Sequence, residues 1–484
     1  MANKILLLAA CMLILPAAAL AQNGAAAIPQ GGDAPPYSGP PINSVSPSQS
    51  QDPFAGSVPE KAAVSGTLQL TFPDAVRRGL KQNMGALLSS EAEGSARGER
   101  WGQLSNLLPH LSAAAGENVK QIDLATLGFN FPGIPQVIGP IGYVDTRGYF
   151  SQNVFNWEQI QRTRAATQNV RVAGYSYQNA RDLVVMAVGA NYFQTIAAAA
   201  RLETAEAQVH TARALSDQAT DRLKAGVAAS IDDLRARVEL QTRQQQVIAA
   251  RNSLAKQKLV LARIIGLPLG QEFAIGEKAQ FEQVAALSIE DILQRAYANR
   301  SDFRAAEAQV RVAELVRRAA TAEHYPTFHI NADYGVSGVN IGTSRNTYDV
   351  TGELRVPIFA GGRTHGDVLQ AEASLQQSRS QLENLRGQID QDVRSALLDL
   401  QSASDQVAVA KSSVDLAGQT LDQSQDRFKA GVTDNIEVVQ AQESVATASE
   451  SYIESLYAYN LAKVSVARSI GLVETTVKEF FKGF

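Results

Sequence analysis

The chain has 484 residues, of which 19% are charged and 6% aromatic, and a formal net charge of -4. That balance leaves no basic footprint for a nucleic-acid partner, and one cysteine with five scattered histidines excludes a disulfide framework and a dense metal centre. Few aromatic residues with abundant Ala, Gln and Ser suit long helices packed through small side chains better than one large globular core.

Lys4 precedes an apolar run from Ile5 to Leu20, and Ala19, Leu20 and Ala21 form a small-x-small cleavage site, so residues 1–21 are expected to be a secretory signal peptide. LAAC at 8–11 resembles a lipoprotein processing box. Only six apolar residues precede Cys11, fewer than the about 7 to 15 of a usual signal core, so Cys11 is expected to leave with the signal peptide. Residues 22–66, rich in Pro, Gly and Ser, form an expected extended leader. No later stretch is expected to approach the roughly 20 apolar residues of a membrane-crossing helix, so any crossing must use strands.

The remainder says one thing twice. RLKAGVAAS at 222–230 returns as RFKAGVTDN at 427–435, and residues 222–267 match residues 427–472 at 15 of 46 positions without a gap. The repeat unit is about 200 residues, too long for a solenoid and suited to a duplicated half-structure. The first copy, 67–268, is expected to contain a helix at 71–106, a strand pair at about 109–154, a long helix at 157–223, a tip at 224–229 and a return helix at 229–267. A connector at 269–286 leads to the second copy, 287–473. There the helix falls at 288–322, the strand pair at 326–358, the long helix at 361–428, the tip at 429–433 and the return helix at 434–472. Residues 474–484 form a tail.

Four strands in all are expected. In the second pair Phe328, Ile330, Ala332, Tyr334 and Val336 share one face, opposite His329, Asn331, Asp333 and Gly335. Tyr348, Val350, Leu354, Val356 and Ile358 likewise lie opposite Asp349, Thr351, Glu353 and Arg355. Period-two alternation of this length suits a membrane strand with one face on lipid and one on water, although a soluble sandwich gives the same pattern. Four strands cannot close on themselves in lipid without unpaired edges, so membrane strands would require several chains to share one barrel.

The long helices are free of proline. In the second, Ile389, Val393, Ala396, Leu400, Ala403, Val407, Ala410, Val414, Ala417 and Leu421 recur by fours and threes, and after Ser424 the pattern resumes at Phe428. This is the seam of a left-handed coiled coil about 100 Å long at roughly 1.5 Å per residue. Gly226 and Gly431 are expected C-cap glycines with basic residues before them, and Ser230 or Asn435 can cap the helix that follows.

ANRSDFRAAEAQVRVAE (298–314), YPTFHINADYG (325–335), VPIFAGGR (356–363), the paired KAGV turns and ARIIGLP resemble, in order and spacing, the outer-membrane efflux protein family of TolC type. The resemblance covers about 67–473. It implies a fold of mainly α-helix with membrane β: a homotrimer in which each chain gives four strands to a shared twelve-stranded barrel in outer-membrane lipid and its helices to a periplasmic tunnel. Phe328, Ile330, Tyr334, Val336, Tyr348, Val350, Leu354 and Val356 would face lipid. The tips would dock a periplasmic adaptor, a membrane fusion protein, through Arg222, Gly226, Val227, Arg427, Gly431 and Val432, and the adaptor would join an inner-membrane pump. The same resemblance matches Asp232, Phe428 and Glu437 to a gate at the tips, where Thr433 replaces a basic residue found in some relatives. Glu437 is expected to line the aperture with Asp232 and Asp434 near it, since acids repeated around an axis concentrate negative potential at a constriction. The alternative is that these acids merely complement the dipole of a helix start. Ser301 stands where many relatives carry proline, and NVFNWEQ at 153–159 replaces PIFAGGR in the first copy.

No GxxxxGK, HExxH, GxSxG or CxxC motif is present, and neither catalysis nor a cofactor is expected. The competing reading is an exported coiled-coil tether or periplasmic adaptor without a channel.

Overall fold

A computed structural model describes residues 52–60 and 66–473, apart from 125, 127, 129–131, 134, 228, 277–280, 283–287, 434 and 472. The expected signal peptide, most of the leader and the C-terminal tail lie outside the described residues.

The helices come in matched sets. In the first half α1 (Phe72–Gln82) and α2 (Met84–Ser105) precede α3 (Trp157–Lys224) and α4 (Ser230–Ile265). In the second half α5 (Ile289–Asn299) and α6 (Ser301–Ala322) precede α7 (Arg363–Lys429) and α8 (Asn435–Ile470). The lengths are 11, 22, 68 and 36 residues against 11, 22, 67 and 36.

The single helices expected at 71–106 and 288–322 are each broken, at Asn83 and Arg300, where the backbone is extended (ψ 134° and 123°). Neither break has a glycine or proline to announce it. Tertiary partners make the difference: the fully buried Asn83 amide donates to the carbonyls of Phe54 (2.8 Å) and Ile264 (3.3 Å), while its Oδ1 caps α2 at Gly85 N (2.9 Å). Arg300 is 4% exposed and its guanidinium reaches Asp302 (2.7 Å) and Asp392 (3.1 Å). Ser301 is the first helical residue of α6, the position at which proline is also tolerated. The expected leader also ends early. Ser57 bridges to Asn83, and Glu60 N–H donates to the Gly266 carbonyl (3.0 Å), so residues 52–60 are packed on this break.

The main core surrounds the middle of α3. Val184, Val185, Val188, Tyr192, Phe193 and Ile196 pack with Phe72, Leu261, Ile265 and Val464, with the Phe72 ring 5.2 Å from Tyr192. Leu183 to Ala200 is a run of 18 residues without a charge, which corrects the expectation that none approaches membrane-spanning length. Val184, Val185, Val188, Tyr192, Phe193 and Ile196 are buried at helical spacing against α1, α4 and α8, while Gln194 and Ala199 on the other side stay exposed. Beside this core, β1 (Leu68–Gln69) pairs in parallel with β4 (Phe273–Ala274), a small sheet beyond the four strands expected. The seam of α7 is buried at Ile389, Val393, Ala396, Leu400, Ala403, Val407 and Ala410, half-buried from Val414 to Leu421, and buried again at Ser424 and Phe428.

The other four strands, β2 (His110–Asp123), β3 (Val137–Phe155), β5 (Thr327–Gly338) and β6 (Arg345–Arg355), form one antiparallel sheet in that order. Register sorts the side chains: Arg147 stands opposite Ala114 and Gly335, and Gly335 opposite Thr347. Asp145, Arg147, Ser151, His329, Asn331, Asp333, Asp349, Thr351 and Glu353 therefore share one polar face. Phe150, Phe328, Ile330, Tyr334, Val336, Tyr348, Val350 and Leu354 share the other. Val356 follows β6 rather than lying within it. Both edges, β2 and β6, lack a strand partner among the described residues.

Candidate functional site: the paired hairpin tips

The distal ends of α3 and α7 use the same backbone device. Val227 N–H donates to the Arg222 carbonyl (3.0 Å) and Gly226 N–H to that of Leu223 (3.0 Å). Val432 donates to Arg427 (3.0 Å) and Gly431 to Phe428 (3.1 Å). These nested bonds satisfy the last helical carbonyls and need a left-handed residue, which Gly226 (φ 75°) and Gly431 (φ 73°) supply. Val227 and Val432 then stand out, 72% and 69% exposed. Ser230 is the first residue of α4, not its cap: the cap position is Ala229, with no side-chain bond. At α8 the cap position falls on Asp434, outside the described residues.

The two tips touch. The Arg222 guanidinium lies 4.6 Å from the centre of the Phe428 ring and donates to the Lys429 carbonyl (3.4 Å). Phe428, 5% exposed, packs with Leu215 and Val438 between the hairpins of its own chain. Glu437 accepts from the hydroxyls of Thr433 and Ser424 (3.4 Å) and pairs with Arg427 (3.2 Å). Its side chain remains 33% exposed. Arg427, Thr433 and Glu437 are thus brought together, as are Arg222 and Phe428. Asp232 stands apart, in the first turn of α4 with Arg235 at 3.8 Å.

Sequence reasoning missed the neighbour of Asp232. Asp233 is 4% exposed, accepts from Thr220 Oγ1 (2.6 Å) and pairs with Arg237 (2.9 Å). It also missed Arg243, whose side chain is 3% exposed and holds Glu239 and Glu443, each at 2.6 Å. A signal existed: Asp233, Ala236, Leu240, Arg243 and Val247 keep heptad spacing, so two charged residues sit at seam positions. Further from the tips Arg201 reaches Glu450 (2.6 Å), so three arginines of the first hairpin clamp the second.

The layer runs α4, α3, α8, α7. Its outer helices carry a second, exposed stripe: Ile231, Leu234, Val238, Ile248 and Leu259 on α4, and Leu398, Val409 and Leu416 on α7. Among the described residues no cluster of His, Cys, Asp and Glu is suited to a metal.

A sheet with one oily and one polar face, continuous with helices of 68 and 67 residues that end in clamped tips, has the two parts of a membrane protein that carries a long helical column. The chain belongs to the outer membrane efflux protein family, whose sequence profile it matches over residues 82–267 and 292–472. It is similar to the outer membrane protein TolC of Escherichia coli, 24% identical over 68% of this chain and 72% of that one. It is also similar to the alkaline protease secretion protein AprF of Pseudomonas aeruginosa, 23% identical over 66% and 67%. The solved CmeC outer membrane channel of Campylobacter jejuni shares the fold, with a TM-score of 0.73 at 16% identity over 92% of this chain and 97% of that one. The protein is therefore an outer-membrane efflux component reaching into the periplasm, and its family is one of channels rather than enzymes. The tether reading is not favoured.

Proposed function

We propose that three copies of this chain close into one hollow cylinder, the passive exit duct of an efflux or type I secretion machine. Each copy would give β2, β3, β5 and β6 to a twelve-stranded barrel and its hairpins to a periplasmic tunnel. The tunnel tips would dock a membrane fusion adaptor and, through it, an inner-membrane pump. The matched helix lengths of the two halves support an internal two-fold repeat in each copy.

The unpaired sheet edges carry this reading. In lipid an exposed edge leaves backbone groups without partners, at several kcal/mol each by order of magnitude. Strand directions alternate across the sheet, so β6 of one copy meets β2 of the next antiparallel and extends the same ladder. The exposed heptad stripes of α4 and α7 lie on the two edges of the helical layer and support closure in the same sense. The apolar face, Phe328, Ile330, Tyr334, Val336, Tyr348, Val350 and Leu354, then meets lipid with Val356 at its rim, and the polar face meets water.

At the tips, Glu437 of each copy would face the axis, held by its pairing with Arg427 and Thr433; of the acids expected beside it, Asp232 stands apart on α4 and Asp434 lies outside the described residues. Arg222, Gly226, Val227, Arg427, Gly431 and Val432 form the adaptor-docking end. Purified protein in planar bilayers tests the gate. Glu437→Gln is expected to lower cation preference and raise resting conductance, and unchanged conductance and selectivity would sink the assignment.

A further inference from the structure

A cleft of about 360 Å³ lies between the two hairpins, bounded by Thr204, Gln208 and Thr211 of α3, Arg243 of α4, Leu421 of α7 and Gln442 of α8. Gln208 is 16 residues from the end of α3, so the cleft sits about 24 Å above the tips at roughly 1.5 Å per residue.

Gln442 is 6% exposed, lines the cleft, and has no protein partner for either its amide nitrogen or its amide oxygen. An unpaired buried donor and acceptor is costly, and an apolar side chain here would continue the Val438 and Ala441 seam without that cost. Arg243 offers no free charge, since its guanidinium already holds Glu239, Glu443, Gln246 (3.0 Å) and Gln208 (3.5 Å). The remaining walls are hydroxyls, the Gln208 amide and apolar side chains, with the solvent-exposed Glu203 the one acid among them. Such a wall disfavours an ion and suits a neutral molecule that presents a donor and an acceptor side by side on an apolar body.

We propose that this cleft is a binding site for small uncharged carboxamides, recognised by a reciprocal pair of hydrogen bonds with the Gln442 amide. All four hairpin helices contribute to the walls, so an occupant braces α3 and α4 against α7 and α8 and resists their relative movement. That second consequence rests on the channel reading above; the binding does not.

The test uses the full-length protein in detergent with benzamide as probe, and benzoate and benzylamine as charged analogues of the same shape. Saturation-transfer NMR and titration calorimetry on wild type are expected to show benzamide binding and at least tenfold weaker binding of both analogues. Gln442→Leu is expected to abolish benzamide binding while leaving thermal stability equal or higher. Ser449→Tyr, which narrows the cleft and leaves the Gln442 amide in place, is expected to abolish it too. Absence of benzamide binding, equal binding by Gln442→Leu, or equal binding of benzoate would each overturn the proposal. A protein that binds benzamide but forms no conducting pore would sink the channel reading and leave this site standing.

Discussion

The two halves of the chain follow one backbone plan with different side-chain chemistry, most clearly where the sheet meets the long helices. At the end of α2, in the first half, the contacts are neutral: Asn153 donates to the Asn106 carbonyl (2.9 Å), and Thr163 Oγ1 to that of Gln103 (3.2 Å). In the second half Glu323 ends α6 with its side chain 9% exposed, between Arg363 (3.5 Å) and Arg162 (4.0 Å). Glu158 and Asp367 claim the same two cations at 2.7 and 3.8 Å. Burial raises the Glu323 pKa above the usual carboxylate range, and Glu158 and Asp367 add to the shift. Glu158 and Arg162 of α3 belong to this same cluster, so the two halves meet in one charged junction in which the end of α6 supplies a carboxylate and the matching end of α2 supplies Asn106.

The largest expected effect concerns the sheet. Val350→Arg puts a cation on the apolar face at a cost of about 2–4 kcal/mol near the membrane midplane, while Thr351→Arg, one residue along on the polar face, is tolerated. Heat-modifiable gel migration of outer-membrane fractions is expected to show loss of the folded oligomer only for Val350→Arg.

This contrast was legible in the sequence because period two survives in β5 and β6, and the α7 seam was legible because fours and threes alternate there. The α3 core was not: between Leu183 and Ala200 apolar and small residues such as Met186, Ala187, Ala190 and Ala199 also fill the less buried positions, so burial is periodic where the sequence is not. The breaks at Asn83 and Arg300 carry no glycine or proline, and only distant partners, the carbonyls of Phe54 and Ile264 and the Asp392 carboxylate, reveal them. At the tips the turn glycines announced themselves. The Arg222 contact with Phe428 joins residues about 200 apart and left no local pattern.

Next in size comes a comparison among glycines. Gly471 has φ 80°, and a Cβ there would stand 2.6 Å from Arg300 N, whereas Gly226 has open space around it. Gly226→Ala should cost about 1–2 kcal/mol from the left-handed backbone alone. Gly471→Ala should cost more, read as a lower melting temperature by circular dichroism.

The adjacent acids of α4 separate burial from exposure. Asp233→Ala leaves Thr220 without its acceptor and is expected to cost about 1–3 kcal/mol, against under about 1 kcal/mol for Asp232→Ala, by chemical denaturation.

The smallest effect belongs to the charged junction. Because the folded-state pKa of Glu323 is raised, its contribution to stability is present below the ordinary carboxyl range and is lost as pH rises through the raised value. Glu323→Gln should flatten this part of the melting-temperature profile, from the ordinary carboxyl range upward. The equivalent change at Asn106, to Gln, should leave the profile as in wild type.

The central claim is that edge strands β2 and β6 of neighbouring copies pair with one another. Imaging the detergent-solubilised particle tests it directly. Threefold hollow cylinders are the predicted result, and a monomer that stays in solution without detergent would contradict it.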